Sequence, residues 1–299
     1  MVQQIALPSD AIAGDRALDA ARADHTIEIA DDVAYRRLGI VNVVFIGLRG
    51  AGDRGWVLVD AGISGTKGMI ESAAAERFGK GARPVAIVMT HGHFDHVGAL
   101  EDLAAAWDAP IYAHPLEHSY LDGTASYPPG DPSVGGGLMA ALARFYPRGP
   151  VNVGARLRSL AEDGTLPDMP GWRWVHTPGH SVGHVSLWRD FDRLLVAGDA
   201  LVTTKQESAY AVTVQSPEMH GPPAYYTIDW DAARRSVETL AGLRPERVVT
   251  GHGQAMAGPA MLDALDRLSR EFRDVAVPRQ GVYLDMPARA EDGTAYRKA

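Results

Sequence analysis

The sequence predicts an α/β protein with substantial antiparallel sheet, and three observations carry that expectation. Apolar, β-branched runs recur along the chain, helix-like segments alternate with them, and His or Asp residues stand at the ends of four of the runs. With 299 residues, 46% of them hydrophobic, the chain can bury a large core as one large domain or two small ones. It contains no apolar stretch long enough to span a bilayer, so no membrane association is expected.

Residues 1–24 are rich in Ala and Asp and read as an N-terminal arm or cap, either solvated or contributing to a subunit contact such as a homodimer. They lack a basic region followed by an apolar core, so no secretory signal is read there and the cytoplasm is the expected compartment. From Thr26 the pattern turns β-like through Ile27, Ile29 and Val33. The runs Ile40–Ile46 and Trp56–Val59, separated by the Gly-rich stretch 50–55, read as a hairpin. Asp60-Ala61-Gly62 closes the second of these strands.

Residues 66–79 read as a helix ending at Gly79, and Pro84 opens a strand, Val85–Met89. Directly after it comes Thr90-His91-Gly92-His93-Phe94-Asp95-His96, which packs three imidazoles and a carboxylate into six residues before a helix over Val97–Trp107. Neutral imidazole and carboxylate suit zinc and its first-row neighbours, and a short loop anchored at both ends can aim several of them at one point. A single His is more often a satisfied structural residue. Here three more candidates follow apolar runs: His180 after Trp174-Val175-His176-Thr177-Pro178-Gly179, Asp199 after Leu194–Gly198, and His252 after Val248–Gly251. Convergent placement of that kind marks a metal site.

The run His-x-His-x-Asp-His, followed in order by Thr-Pro-Gly-His, Gly-Asp and Gly-His-Gly, resembles the metallo-β-lactamase fold superfamily, which includes glyoxalase II, lactonases and RNA-processing nucleases. The similarity spans roughly residues 25–275, leaving 276–299 as a C-terminal tail. The resemblance implies a four-layer αβ/βα sandwich, two mixed β-sheets flanked by helices, with the metal centre on their shared edge. It further implies that His91, His93 and His180 bind one ion, that Asp95, His96 and His252 bind a second, and that Asp199 bridges them. Asp60 is then a partner of a metal-bound imidazole, the alternative being a simple turn residue.

The remaining elements follow in order. Ile111-Tyr112-Ala113 is a short strand after the stop Asp108-Ala109-Pro110. His114 and His118 read as structural or surface residues. Residues 123–137 contain Tyr127-Pro128-Pro129-Gly130-Asp131-Pro132, which can continue neither a helix nor a central strand, and they lead into a helix-like segment over Leu138–Tyr146. The region 120–150 is therefore either a substrate-access element or a surface insertion. A second run of strands begins at Arg156 and includes Arg173–Val175, Val185–Trp188 and Leu194–Ala197, with His176 and His184 read as structural. Beyond Asp199, the irregular stretch Glu207–Trp230 offers Tyr210, His220 and Tyr225 as substrate-wall candidates. A capped helix over Asp231–Leu243, a strand Arg247–Thr250 and a helix over Pro259–Phe272 complete the pattern.

Composition limits the function. No cysteine is present, which removes disulfides, thiolate catalysis and Cys-ligated zinc. A formal net charge of −8 without a basic run argues against nucleic acid as a partner and leaves a small-molecule substrate. Two divalent ions held by His and Asp, most simply zinc with manganese or iron as alternatives, generate hydroxide near neutral pH, so the resemblance implies hydrolysis by a bridging hydroxide with Asp95 orienting it or handling its proton. In the superfamily that the chain resembles, glyoxalase II, lactonases and nucleases carry a carboxylate at the position of Asp199 and true metallo-β-lactamases generally lack it, so the resemblance implies ester, thioester or lactone hydrolysis. The Tyr that acyl-homoserine lactonases carry three residues after this Asp is Val202 here, and no basic glutathione site is evident in the tail. The alternatives are a mononuclear iron persulfide dioxygenase built on His91, His180 and Asp199, and a hydrolase with β-lactamase activity.

Overall fold

The apolar runs of the first half pair edge to edge. In the computed structural model, which describes residues 5–15, 19–20 and 22–299, seven strands form one sheet in chain order: β1 (Ile27–Ala30), β2 (Val33–Leu38), β3 (Val41–Ile46), β4 (Val57–Val59), β5 (Ala86–Val88), β6 (Ile111–Ala113) and β7 (Leu157–Ser159). β1 to β4 are antiparallel neighbours, and β4 to β7 run parallel. Parallel neighbours require crossovers. Helix α1 (Lys67–Phe78) crosses from β4 to β5, and α2 (Phe94–Val97) with α3 (Leu100–Trp107) crosses from β5 to β6.

A second, five-stranded sheet is built from β8 (Trp172–His176), β9 (Val185–Arg189), β10 (Leu194–Val196), β11 (Arg247–Val249) and β12 (Met256–Ala257), again in that order. Only β10 and β11 are parallel, joined by a crossover that contains α4 (Ala209–Val214) and α5 (Trp230–Gly242). Helix α6 (Gly258–Arg270) follows β12.

The two-residue period of each strand divides its side chains between layers. On β3, Val44 and Ile46 face the other sheet and pack with Val185, Leu187, Leu194, Val196 and Val249, while Val43 and Phe45 pack with Ile70, Phe78, Leu100 and Leu103 of α1 and α3. In the second sheet Leu187 and Val249 point inward, while Trp188, Leu195 and Val248 meet Val237 and Leu240 of α5 and Leu265 of α6. The result is helix, sheet, sheet, helix, the four-layer sandwich that the resemblance implied.

Some elements depart from the sequence reading. Leu157–Ser159, expected to open the second run of strands, is instead the edge of the first sheet, with Leu157 opposite Ile111. β2 runs through Arg36 and Arg37, whose charges masked the alternation; Arg36 is nevertheless buried, donating to the carbonyls of Asp24 and Met69. Helix α5 starts at Trp230 rather than Asp231, because the Asp229 carboxylate caps it by accepting the Ala232 N–H at 2.9 Å. The stretch read as irregular contains α4 and a two-residue strand, Glu218–Met219, paired with Ile5–Ala6.

The C-terminal residues pack onto the sandwich. Arg297–Lys298 pairs with Ala125–Ser126, the Ala288 N–H donates to the Ile228 carbonyl, and the Tyr120 hydroxyl donates to the Ala295 carbonyl. Among the described residues, no helix is long and apolar enough to cross a membrane.

Candidate metal centre

Each sheet delivers its ligand-type residues on loops at one edge. β5 ends at Val88 and runs through His91 and His93 into α2, whose single turn carries Asp95 and His96; β10 leads to Asp199 and β11 to His252, while the connection between β8 and β9 carries His180. Crevices beyond the carboxyl ends of parallel strands are where α/β sheets expose backbone and side chains that the sheet itself does not use.

The structure brings all seven candidates together. Ligand atoms of His91, His93 and His180 lie within 4.8 Å of one another, as do those of His91, His96 and Asp199, and those of Asp95, His96 and His252. Asp199 spans the groups: Oδ1 is 3.6 Å from His96 Nε2, and Oδ2 is 3.0 Å from His252 Nε2 and 3.5 Å from His180 Nε2. His93 Nδ1 and His180 Nε2 face each other at 2.9 Å, and Asp95 Oδ2 is 3.4 Å from His252 Nε2. None of the seven residues is more than 4% exposed.

Hydrogen bonds from behind select which ring nitrogen faces inward. Asp60 accepts the Thr90 N–H on Oδ1, and on Oδ2 it accepts the Thr90 hydroxyl at 2.8 Å and His96 Nδ1 at 2.7 Å. Thr90 has given its only hydroxyl proton to Asp60, so Oγ1 accepts from His91 Nδ1–H at 3.0 Å. His252 Nδ1–H donates to the Ile40 carbonyl at 2.6 Å. Rings held in this way present an Nε2 lone pair to the centre, and the Nε2 atoms of His91 and His96, together with Asp199 Oδ1, are buried without a hydrogen-bond partner. Asp60 sits at φ +61°, a left-handed conformation uncommon outside glycine, held by these three bonds.

The electrostatics agree with a set of lone pairs awaiting a cation. Burial holds His91 and His93 well below their ordinary value, with neighbouring imidazoles adding to it, and it pushes His180 down to about 3. For His96 burial acts downward too, but Asp199 and Asp60 outweigh it and raise the ring. Burial alone would raise Asp199; His252 and His96 overcome it and keep the carboxylate ionised. Burial raises Asp95 against the pull of His96 and His252. Three neutral imidazoles and the Asp199 carboxylate form a donor set suited to divalent metal, which Asp95, His96 and His252 would join once a metal displaces their protons.

Packing leaves no room for larger residues at the focus. A Cβ on Gly251 would meet Asp199 Oδ1 at 2.0 Å and His96 Cε1 at 2.8 Å. Asn42, in the first sheet, clamps the same loop from across the sandwich by donating to the carbonyls of Thr250 and Gly253.

Aromatic rings roof the centre. Tyr226 stacks on His93 at 4.6 Å, Tyr127 lies 4.3 Å from the same ring, and Tyr146 packs on Phe94 at 5.3 Å. Tyr127 and Tyr146 come from the 120–150 region, which therefore lies over the centre. Of the substrate-wall candidates, Tyr225 is buried against Tyr226 and Tyr146. His220 is buried beside Glu207, at 3.8 Å, rather than among the ligand atoms. Tyr210 is 75% exposed, because Ala211 and Val212 take the buried face of α4.

Four other histidines, His114, His118, His176 and His184, are occupied elsewhere. His184 Nε2 accepts the Asp199 N–H at 2.9 Å, leaving Nδ1–H to the Thr177 hydroxyl at 2.8 Å. His176 bonds the Val182 carbonyl and stacks on His114 at 4.3 Å, and His118 bonds the Ala113 carbonyl. Sequence reasoning missed Glu117, Tyr127 and Asn42, because none lies in a motif or within a short span of the residues it holds.

A family model described as the metallo-beta-lactamase superfamily matches residues 36–252. The chain is 42% identical over 258 residues to the probable metallo-hydrolase YflN of Bacillus subtilis (strain 168), a span of 86% of this chain and 97% of that protein. It is 28% identical over 171 residues to the probable metallo-hydrolase YybB of the same organism, covering 57% of this chain and 65% of that protein. A beta-lactamase domain protein from Burkholderia ambifaria superposes with a TM-score of 0.57 at 19% identity, over 90% of this chain and 80% of that one, a likeness of fold.

Proposed function

The chain belongs to the metallo-beta-lactamase superfamily and is a metallo-hydrolase of it, and from that premise we propose a dinuclear centre, most simply zinc, that hydrolyses an ester, thioester or lactone. The observation that carries the reading is the second group of ligand atoms, Asp95, His96 and His252, standing beside His91, His93 and His180 with Asp199 between them. A one-iron centre on His91, His180 and Asp199 would leave that second group without a task.

Two divalent ions held by His91, His93, Asp95, His96, His180, Asp199 and His252 would lower the pKa of a bound water and polarise a carbonyl oxygen. The residues of the chain do the rest. Asp60, directly and through Thr90, fixes the tautomers of His96 and His91, and Ile40 fixes that of His252. Asp95 orients the attacking water and receives its proton on a carboxylate oxygen. His184 holds the backbone of Asp199 in register. Tyr226, Tyr146 and Phe94 exclude bulk water over the reacting carbonyl.

Elemental analysis of the purified protein, paired with a hydrolysis screen over lactones, thioesters, phosphoesters and a chromogenic β-lactam, tests this reading. About two zinc or manganese ions per chain with turnover of an acyl substrate is the expected result. Asp199→Ala should bind fewer ions and lose more than ~100-fold in hydrolysis, since a ligand contributes at least as much as the groups behind it. One iron per chain with oxygen uptake on a thiol persulfide would overturn the proposal.

A further inference from the structure

Glu117 is fully buried, and four donors converge on it. Oε2 accepts the Gly92 N–H at 3.0 Å and the Tyr127 hydroxyl, and Oε1 accepts the Ser181 hydroxyl and the Gly183 N–H, both at 2.8 Å. Donors on every side are the pattern that favours an ionised carboxylate, and they act against the burial that raises its pKa. Among the described residues no Lys, Arg or His forms an ion pair with it, so neutral dipoles alone hold the group in place of a cation.

The position of those donors gives the arrangement its consequence. Gly92 lies between His91 and His93, and Ser181 follows His180. One carboxylate thus ties together the two loops that bring these three imidazoles to one point, 87 residues apart for His93 and His180. Its approach depends on glycine: a Cβ at Gly183 would meet Glu117 Cγ at 2.7 Å, and one at Gly92 would meet the Tyr127 hydroxyl at 2.9 Å. The carboxylate is itself held by the turn Pro115–Glu117, where His114 Nδ1 accepts the Leu116 N–H. The other group, Asp95, His96 and His252, is held from Asp60 and Ile40 and receives nothing from Glu117.

We propose that Glu117 is a positioning residue that sets the separation of the two histidine loops and so governs one of the two metal sites, His91–His93–His180, leaving the other unaffected. The proposal rests on the dinuclear reading above. In Glu117→Gln the amide nitrogen faces two donors, so one loop is pushed away while side-chain volume is kept.

Zinc titrations against a chelator, with cobalt(II) absorption as a second probe, should show two binding steps in the wild-type protein. Glu117→Gln should weaken one step by about 10- to 100-fold, alter the cobalt spectrum of that site and leave the other step unchanged. Ser181→Ala, which removes one donor of four, should shift the same step in the same direction by less. Equal weakening of both steps together with a large fall in thermal stability would overturn the proposal by reducing Glu117 to a structural role. If the wild-type protein binds neither metal, the dinuclear reading fails, and hydrogen exchange in the metal-free protein decides the role of Glu117 separately. The Gly92 and Gly183 amides should exchange about tenfold faster in Glu117→Gln, and unchanged exchange would overturn the clasp.

Discussion

His184 is a histidine four residues from a ligand candidate whose two ring nitrogens are both spent on holding the fold. Nε2 takes the Asp199 N–H and Nδ1–H goes to Thr177, so no lone pair remains for an ion. Removing the ring leaves the Asp199 amide buried without a partner and opens a cavity. His184→Ala should therefore cost about 3 kcal/mol of stability in chemical denaturation while two ions still bind. Loss of an ion at unchanged stability would move His184 into the ligand set. The same rule separates the rest: His176 Nε2–H donates to the Val182 carbonyl of its own loop, whereas His91 and His96 retain an unpartnered Nε2.

At the scale of elements, the ligand loop is held by the turn after β4. The Gly98 N–H donates to the Gly62 carbonyl and the Ala61 N–H to the His96 carbonyl, at 2.7 Å each, which brings α2 against the backbone that also carries Asp60. A Cβ on Gly98 would stand 2.1 Å from the Ser64 nitrogen and 2.3 Å from the Ile63 carbonyl carbon, and backbone cannot yield as a side chain does. Gly98→Ala should destabilise by more than ~2 kcal/mol and loosen the Asp60–His96 contact. The denaturation midpoint measures it, and a midpoint equal to wild type would show that the junction has slack. The long helices carry less of this constraint, since their inward faces are ordinary apolar stripes.

For the whole molecule, buried neutral imidazoles make stability depend on pH. Burial, with the nearby rings of His176 and His118, holds His114 down to about 4, and burial with the neighbouring rings of His180, His96 and His176 holds His184 to about 3. In the unfolded chain these rings take up protons near 6.5, so between that pH and about 4 the unfolded state binds more protons than the folded one. The contribution of these rings to the stability of the metal-free protein should be fully present above 6.5 and fall steadily as pH drops toward 4. His96 and His252, raised by Asp199 against the effect of burial, contribute stability that is lost only as pH rises above their ordinary value, so they do not mask the acid slope. A denaturation midpoint independent of pH across that window would show that the buried rings already carry protons.

What was legible in the chain was local. Val85–Met89 followed by His91, His93, Asp95 and His96 is a strand and a ligand run within a dozen residues, and the apolar runs of β3, β9 and β10 are written in their own side chains. Ligand type, strand ends and the resemblance they carry therefore pointed to the fold and the centre. Other features depend on contacts between distant residues. Leu157–Ser159 joins the first sheet because its partner is Ile111; Asn42 clamps a loop 208 residues away; Tyr127 roofs His93, and Glu117 ties Gly92, 25 residues before it, to Gly183, 66 residues after it. A buried carboxylate surrounded by donors leaves no periodic trace in sequence, since its partners are backbone N–H groups that every residue type but proline possesses. Periodicity and residue chemistry act over a few neighbours, whereas the identity of a hydrogen-bond partner is decided only once the two sheets have closed on each other.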